Sequence, residues 1–262
     1  MTKPDCIVAG GGIIGLMTAR ELRQAGLAVT VVERRQVGQE ASWASSGILS
    51  PMYPWRHPGA VTVLSRWAEE KYPELARQLH EESGIDPEWR LSGMLILDTG
   101  EQNSAREWAV HHGTPLEHLP EKELLEREPR LNPRECKEAL WMPRIAQIRP
   151  PRLLKALQTS VRRMGVNMLE NTPVQSLITR QGKITGVETP AGPLEASFVV
   201  IAAGAWARTF LEETHVAVNI RPVRGQIILY QAPPAWLTRM VLLQDHYVVP
   251  RADGRILAGS TV

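Results

Sequence analysis

The first part of the chain alternates between apolar runs and one amphipathic segment. Asp5 to Ala9 is a short apolar run that predicts a buried strand, and Leu27 to Glu33 is a second run rich in β-branched residues. Between them, Ile14 to Ala25 places its apolar side chains on one stripe, the spacing of a helix, and Gly26 stands where a C-cap is expected. The pattern predicts a βαβ unit.

The pattern changes in the middle of the chain. Residues 37 to 58 carry Gly, Ser and Pro throughout, which predicts a loop rather than one regular element. From Val61 to Leu79 the apolar positions step by three and four, as in a helix, and we expect a kink or a helix restart at Pro73. A charged, Glu-rich helical stretch is expected between one strand over Arg90 to Asp98 and another over Ala139 to Met142.

The second half predicts one helix followed by short strands. The helix begins after Pro150 and Pro151 and is marked by apolar residues at helical spacing up to Met164. The predicted strands are Val166 to Leu169, Val174 to Thr179, Ile184 to Glu188, Ala196 to Ile201, Val216 to Ile220, Gln226 to Gln231, His246 to Pro250 and Arg255 to Thr261. Gln181 with Gly182 predicts a hairpin turn, and Asp253 with Gly254 joins the last two strands.

Composition narrows the possible partners. The 262 residues carry a net charge of +2 with Lys and Arg scattered among acids, so no basic face for nucleic acid or anionic lipid is indicated. Cys6 and Cys136 lie far apart, which argues against a zinc site and favours a reducing compartment. The histidines show no H-E-x-x-H spacing, so they do not indicate a metal site either. An acid precedes the N-terminal apolar run and glycines interrupt it, so we expect a cytoplasmic protein without a membrane span.

Three glycines lie between the first predicted strand and helix. Gly10, Gly12 and Gly15 fit G-x-G-x-x-G, which permits a tight turn, close approach of the backbone to a pyrophosphate, and packing of helix on strand. Glu33 ends the next strand, where a carboxylate can accept ribose hydroxyls. The combination predicts a dinucleotide without a 2′-phosphate, and it does not separate NAD from FAD.

Five stretches in order carry a resemblance to a known family: GGGIIGLMTARELRQAGLAVTVVER, QEASWASSGILSPMYPW, FVVIAAGAWA, RPVRGQIIL and YVVPRADGRILAGST. They resemble the amino-acid-oxidase (DAO) family of FAD-dependent enzymes, most closely the branch that oxidises glycine and supplies thiamine biosynthesis. The resemblance implies an α/β fold in which a Rossmann-like FAD-binding domain is interleaved with an antiparallel-sheet α+β substrate domain. It assigns residues 1–80 and 144–213 to the first domain and 81–143 and 214–262 to the second, with the family's C-terminal segment lying beyond residue 262.

The resemblance also implies noncovalently bound FAD. The residues that match the family's cofactor contacts are Gly10, Gly12, Ile13, Ile14, Gly15, Glu33, Arg34, Ala41, Ser42, Ser46, Gly47, Ile48, Val174, Ala203 and Gly204. Tyr247 matches a tyrosine whose hydroxyl contacts the substrate carboxylate, and Ile48 and Val262 would line the same small pocket. No separate catalytic side chain is expected, because the flavin is the electron acceptor.

The implied reaction is the oxidation of glycine, sarcosine and small D-amino acids by molecular oxygen, with an imino or 2-oxo acid and hydrogen peroxide as products. Two alternatives stay open: a D-amino-acid dehydrogenase that passes electrons to a quinone, and an inactive dinucleotide-binding fragment. By analogy with related oxidases, a homo-oligomer is expected.

Overall fold

In the computed structural model, which describes residues 3–214 and 216–259, the chain divides into two units that alternate along the sequence. The first unit comprises Met1–Ser45, Ala76–Pro87 and Pro150–Val223, and the second comprises Ser46–Leu75, Glu88–Arg149 and Arg224–Val262. Each unit is described in turn.

The described residues form the following strands and helices. The strands are β1 (Cys6–Ala9), β2 (Val29–Val32), β3 (Arg90–Leu91), β4 (Met94–Ile96), β5 (Glu117–Pro120), β6 (Glu138–Met142), β7 (Ala146–Gln147), β8 (Asn167–Leu169), β9 (Ser176–Arg180), β10 (Lys183–Thr189), β11 (Gly192–Glu195), β12 (Phe198–Ile201), β13 (Ile228–Gln231), β14 (Met240–Leu243), β15 (His246–Pro250) and β16 (Arg255–Gly259). The helices are α1 (Ile13–Gln24), α2 (Glu40–Ala44), α3 (Gly59–Ser83), α4 (Gln102–His112), α5 (Glu121–Arg127), α6 (Pro150–Arg163) and α7 (Ala207–Glu212), with 3-10 turns at Pro54–Arg56 and Gly204–Trp206.

A four-stranded parallel sheet lies in the first unit, in the order β12-β1-β2-β8. Strand β1 pairs in parallel with both β12 and β2, and β2 pairs in parallel with β8. Every residue of β1 and β2 is buried, as expected for central strands of a parallel sheet that is covered on both faces. Helix α1 connects β1 to β2, so the predicted βαβ unit is confirmed.

The first unit also contains an antiparallel sheet in the order β11-β10-β9. Gln181 and Gly182 connect β9 to β10 with φ angles of 52° and 74°, and positive φ at both positions is typical of a type I′ hairpin turn. This confirms the predicted hairpin. Val187 and Ala196 from this part of the unit pack with Ile7 and Val32 of the parallel sheet in one apolar core.

The second unit is built on a seven-stranded sheet in the order β13-β16-β15-β14-β4-β6-β5. All neighbours in this sheet are antiparallel except β14 and β4, which are parallel. Side chains alternate between the faces: Met94 and Ile96 belong to one core cluster, while Leu95 belongs to another with Leu119 and Trp141. The α/β fold with a parallel sheet in one unit and an antiparallel sheet in the other agrees with the fold that the resemblance implies.

The prediction of one strand over Arg90 to Asp98 is wrong at Gly93. Strands β3 and β4 belong to different sheets, and Gly93 between them has a φ of 64°. A Cβ atom on Gly93 would overlap the ring of Trp141. The chain changes direction here because glycine alone permits both the backbone angle and the close contact.

Other predicted elements also differ from the structure. No strand forms over Val216 to Ile220, where Val216 is half exposed and lacks the burial that would make a β-branched run into a core strand. The Glu-rich stretch contains strand β5 between helices α4 and α5, and because only Leu119 of β5 is buried, no alternation marked it. Helix α3 runs as one element through Pro73 rather than restarting there.

Three further differences concern an unexpected strand, the content of a predicted loop and the end of the last strand. Strand β14 was not expected, although its sequence MVLL is an apolar run. The predicted loop over residues 37–58 contains the short helix α2 and a 3-10 turn. The last strand is described up to Gly259, and the predicted end at Thr261 lies outside the described residues.

Candidate dinucleotide site

A cavity of about 520 Å³ opens in the first unit. It is bordered by Ala9, Val32 and Ile201, the last residues of β1, β2 and β12. The cavity therefore lies at the carboxyl ends of the parallel strands, where doubly wound sheets bind nucleotides. Its volume falls within the usual range for small-molecule sites.

The glycine motif has no room for a side chain at Gly10, in the loop after β1, or at Gly15, in the first turn of α1. Gly10 has a φ of 115°, and a Cβ on it would collide with the carbonyl oxygen of Ala202. A Cβ on Gly15 would overlap the carbonyl oxygen of Gly10, so the first turn of α1 packs directly on the loop. The two glycines thus permit the tight turn and the close packing that the motif predicts.

Glu33 connects the end of β2 to the glycine loop. Its Oε2 accepts the backbone N–H of Gly11 at 2.7 Å, and its Oε1 accepts the backbone N–H of Arg35 at 2.9 Å. An ionised carboxylate offers about four lone-pair sites, so acceptor capacity for ribose hydroxyls is left after these two bonds.

Ser42 lies on α2 and contacts the start of α1. Its Oγ accepts the backbone N–H of Ile13 at 3.0 Å. The first N–H groups of a helix have no partner within the helix and carry its positive dipole end, which favours an anion nearby. The Ser42 hydroxyl accepts one of these N–H groups and can donate its own hydrogen to a phosphate oxygen.

The residues around Arg34 add an aromatic wall to the cavity. The Arg34 guanidinium stacks over the ring of Trp206 at 3.6 Å from the ring centroid and forms an ion pair with Glu40 at 3.1 Å. Trp206 lies two residues after Gly204 in the same 3-10 turn and was not among the predicted site residues. Its place in the AAGAWA stretch, two residues after a predicted contact, was the available signal.

The structure gathers most of the predicted cofactor residues around this one cavity. Those that line it are Gly10, Gly12, Ile13, Ile14, Glu33, Arg34, Ala41, Ser42, Val174, Ala203 and Gly204. Gly15 packs behind the loop instead. Ser46, Gly47, Ile48 and Tyr247 belong to the second unit, and Val262 lies outside the described residues.

Within the second unit, the predicted loop residues pair with β7. Ile48 forms an antiparallel bridge with Gln147, and the carbonyl oxygen of Gly47 accepts the N–H of Ile148 at 2.9 Å. Gly47 has a φ of 73°, in the region that favours glycine. These pairings fix the backbone of the loop in a defined shape.

Tyr247 lies on β15 opposite Gly259 of β16 and is 8% exposed. A Cβ on Gly259 would lie 2.8 Å from the Tyr247 hydroxyl, so the missing side chain leaves room for the ring. Tyr247 belongs to a core cluster with Met94 and Leu140, and Ile48 packs against the same cluster. Tyr247 and Ile48, the two described residues predicted to contact substrate, thus adjoin the same core cluster.

The cavity of the first unit fits the pyrophosphate and ribose of a dinucleotide. The glycine cradle, the helix start held by Ser42 and the carboxylate of Glu33 offer the donors and acceptors that such a group requires. Over residues 3–214 and 216–259, no cluster of three or more His, Cys, Asp or Glu side chains is arranged to hold a metal ion. Within the same ranges, no helix is both long and apolar enough to cross a membrane.

Known proteins resemble the chain along almost its whole length. It is 41% identical over 257 residues to a glycine oxidase from Pseudomonas aeruginosa, covering 98% of this chain and 70% of that protein. It is 31% identical to a bifunctional protein ThiO/ThiG from Synechocystis, covering 99% of this chain and 39% of that protein. Among solved structures, glycine oxidase from Geobacillus kaustophilus superposes with a TM-score of 0.88 at 28% identity, covering 100% of this chain and 72% of that chain.

The model of the family described as "DAO: FAD dependent oxidoreductase" matches residues 5–262. This match spans both units and includes the glycine loop, Glu33 and Tyr247. The chain therefore belongs to the DAO family of FAD-dependent oxidoreductases, and FAD is the dinucleotide that this family uses.

Proposed function

We propose that this protein is a glycine oxidase that also accepts sarcosine and small D-amino acids, with molecular oxygen as the electron acceptor. The observation that carries the proposal is the 41% identity to a glycine oxidase over 98% of the chain. The products would be the imino acid, which hydrolyses to the 2-oxo acid, and hydrogen peroxide. The similarity to ThiO/ThiG proteins supports a role in supplying the thiazole of thiamine.

The two units carry different parts of this task. The first unit would bind the adenosine diphosphate part of FAD through the glycine loop, Glu33 and Ser42. Bound FAD supplies the two-electron acceptor. From the second unit, the Tyr247 hydroxyl donates to the substrate carboxylate, and the apolar Ile48 keeps the substrate pocket small and dry.

The two cysteines support noncovalent binding of FAD. Both are free thiols, and Cys6 in β1 and Cys136 are buried. Burial raises the pKa of both thiols, with the neighbouring Asp5 and Glu135 carboxylates acting in the same direction. Because the thiolate is the nucleophile, neither side chain is suited to attach a flavin.

The test is an absorbance spectrum of the purified protein before and after glycine is added without oxygen. A glycine oxidase shows a flavin spectrum that bleaches with glycine, returns in air, and yields one hydrogen peroxide for each glycine consumed. Denaturation with acid should release all yellow colour from the protein. Growth of a thiazole-requiring strain that expresses the protein tests the thiamine role.

Each rival gives a different result in the same experiment. A D-amino-acid dehydrogenase would bleach with a D-amino acid and recover with a quinone far faster than with air. A flavin that is bound but is not bleached by any of these amines would leave only a dinucleotide-binding module, and the proposal would be abandoned.

A further inference from the structure

Arg251, in the second unit, is a buried arginine that donates hydrogen bonds to three neutral oxygens. It follows β15 directly and is 6% exposed. Its Nη1 donates to Oε1 of Gln147 at 2.6 Å and to the carbonyl oxygen of Ile148 at 3.0 Å, and its Nη2 donates to the carbonyl oxygen of Ser46 at 2.6 Å. One guanidinium thus joins two separate chain segments.

These two segments are the loop that begins at Ser46 and the strand β7 with the residue that follows it. The loop pairs with β7 through the carbonyl oxygen of Gly47, which accepts the N–H of Ile148, and through the N–H of Leu49, which donates to the carbonyl oxygen of Ala146 at 3.0 Å. Arg251 adds the bond to Ser46 at the beginning of the loop, where the chain enters this pairing. The loop is therefore held at its entry by a side chain that is distant in sequence.

Gln147 orients the guanidinium. It is 2% exposed, and its Nε2 donates to the Oγ of Ser92 at 2.9 Å, which turns its Oε1 toward Arg251. The relay from Ser92 through Gln147 to Arg251 leaves the guanidinium little freedom. Its planar fork, with donors in fixed directions, allows it to reach three acceptors at once, which a lysine ammonium cannot match in the same geometry.

The arrangement places a cation where it is poorly solvated. Burial lowers the pKa of Arg251 to about 10, the charge of Arg149 acts in the same direction, and the carboxylates of Glu88 and Asp253 oppose it. Arg149 is itself paired with both of those carboxylates, at 3.1 Å each. A buried cation is costly unless hydrogen bonds compensate for its lost hydration, and Arg251 makes three such bonds to the loop and to Gln147 and Ile148.

We propose that Arg251 is a positioning residue for the flavin: it holds the backbone of Ser46, Gly47 and Ile48 in the shape that receives FAD, without contacting the cofactor itself. The inference rests on the proposed role of these three loop residues as FAD contacts. It requires no particular amine substrate, so it does not depend on the oxidation of glycine.

The test compares Arg251→Lys and Gln147→Met with the unchanged protein and with Arg239→Lys. Arg239 is a suitable control because it also donates to a backbone carbonyl in the second unit, that of Arg127, at 2.5 Å, away from the loop. The FAD dissociation constant is measured by titrating each apoprotein and following the quenching of flavin fluorescence. Hydrogen exchange of the Leu49 and Ile148 amides in the apoprotein reports directly on the loop pairing.

For Arg251→Lys we expect FAD binding weakened by tenfold or more and exchange at Leu49 and Ile148 accelerated by at least as much. Gln147→Met should shift both quantities in the same direction by a smaller factor, and Arg239→Lys should change neither. A further sign is the flavin absorption band of the loaded Arg251→Lys protein, which should lose fine structure as the loop loosens.

The inference is overturned if folded Arg251→Lys keeps both the FAD affinity and the amide exchange of the unchanged protein. It is also overturned if Arg239→Lys weakens FAD binding as much, since the effect would then be general destabilisation. Should Arg251→Lys not fold, Gln147→Met decides by the same two measurements. A protein that binds FAD but is not bleached by glycine would refute the proposed substrate and leave this inference standing.

Discussion

The carboxylate of Glu33 accepts the backbone N–H of Gly11 at 2.7 Å, which joins the end of β2 to the glycine loop after β1. The acid that should bind the ribose therefore also holds the loop that should bind the pyrophosphate. One side chain supports two parts of the dinucleotide site, so its loss should affect FAD binding through both.

Glu33→Gln tests this double role. The amide keeps the size of the side chain, but it cannot accept from Gly11, Arg35 and the ribose with full charge. We expect FAD binding to weaken by about 1 to 3 kcal/mol, measured by fluorescence titration of the apoprotein. Glu195→Gln, at a half-exposed position in the same unit, should leave the affinity unchanged. Equal affinities for Glu33→Gln and the unchanged protein would remove Glu33 from the site.

Gly15→Ala tests the packing of α1 on the glycine loop. The new methyl group would overlap the carbonyl oxygen of Gly10, so either the helix or the loop must move. We expect a loss of about 1 to 3 kcal/mol of stability, seen as a lower unfolding temperature of the apoprotein, together with weaker FAD binding. Gly59→Ala is the matched control, because nothing lies within 4 Å of a Cβ built there. A Gly15→Ala protein as stable as Gly59→Ala would contradict the close packing.

Tyr247→Phe separates substrate binding from cofactor binding. The ring can stay in its place opposite Gly259, and only the hydroxyl is lost. We expect the KM for glycine to rise by about tenfold or more, as for a lost hydrogen bond to a carboxylate, while the FAD dissociation constant stays the same. Tyr230→Phe on the exposed strand β13 should alter neither quantity. An unchanged KM would mean that the substrate carboxylate is bound elsewhere.

Glu69 should make stability depend on pH. This residue of α3 lines a second cavity of about 340 Å³ in the second unit, and burial raises its pKa from 4.5 to about 7 against the charge of Arg66 and a hydrogen bond with Ser50. Between pH 4.5 and about 7, Glu69 has lost its proton in the unfolded chain but still binds it in the folded chain. Stability from this group is therefore full below pH 4.5 and is lost as the pH rises to about 7.

Glu69→Gln has no carboxyl to ionise, so it should be more stable than the unchanged protein at pH 8, by about 1 to 2 kcal/mol, and the difference should vanish near pH 4. Unfolding temperatures of the apoproteins across this range give the comparison. Glu107→Gln, at an exposed position of α4 in the same unit, provides the control. A difference that is constant with pH would show that Glu69 ionises alike in both states.

Local sequence was sufficient to predict the part of the candidate site that the glycine loop and its acid form. Gly10, Gly12, Gly15 and Glu33 were identified because strand, turn, helix and acid follow one another within a short span of the chain. The same holds for the hairpin at Gln181 and Gly182, whose φ angles depend on the two turn residues themselves. Family resemblance then added Ser46, Gly47, Ile48 and Tyr247, which no local pattern marks.

Long-range contacts could not be predicted in this way. The bond from Ile13 to Ser42 and the bonds from Arg251 to Ser46 and Gln147 join residues 29 to 205 positions apart, and no periodicity relates their partners. A local pattern can also predict too much: the β-branched run Val216 to Ile220 forms no strand. Such a run becomes a strand only when a neighbouring strand and a core are there to pack against it.

The sequence by itself thus determined the βαβ unit, the glycine loop with its acid, and the family. Tertiary structure alone decided which side chains hold those parts in place: Ser42 at the start of α1, Trp206 beside Arg34, and Arg251 beneath the loop at Ser46. The physical reason is that backbone conformation follows from neighbouring residues. The partner of a buried donor or cation, in contrast, is whatever acceptor the completed fold brings within hydrogen-bonding distance.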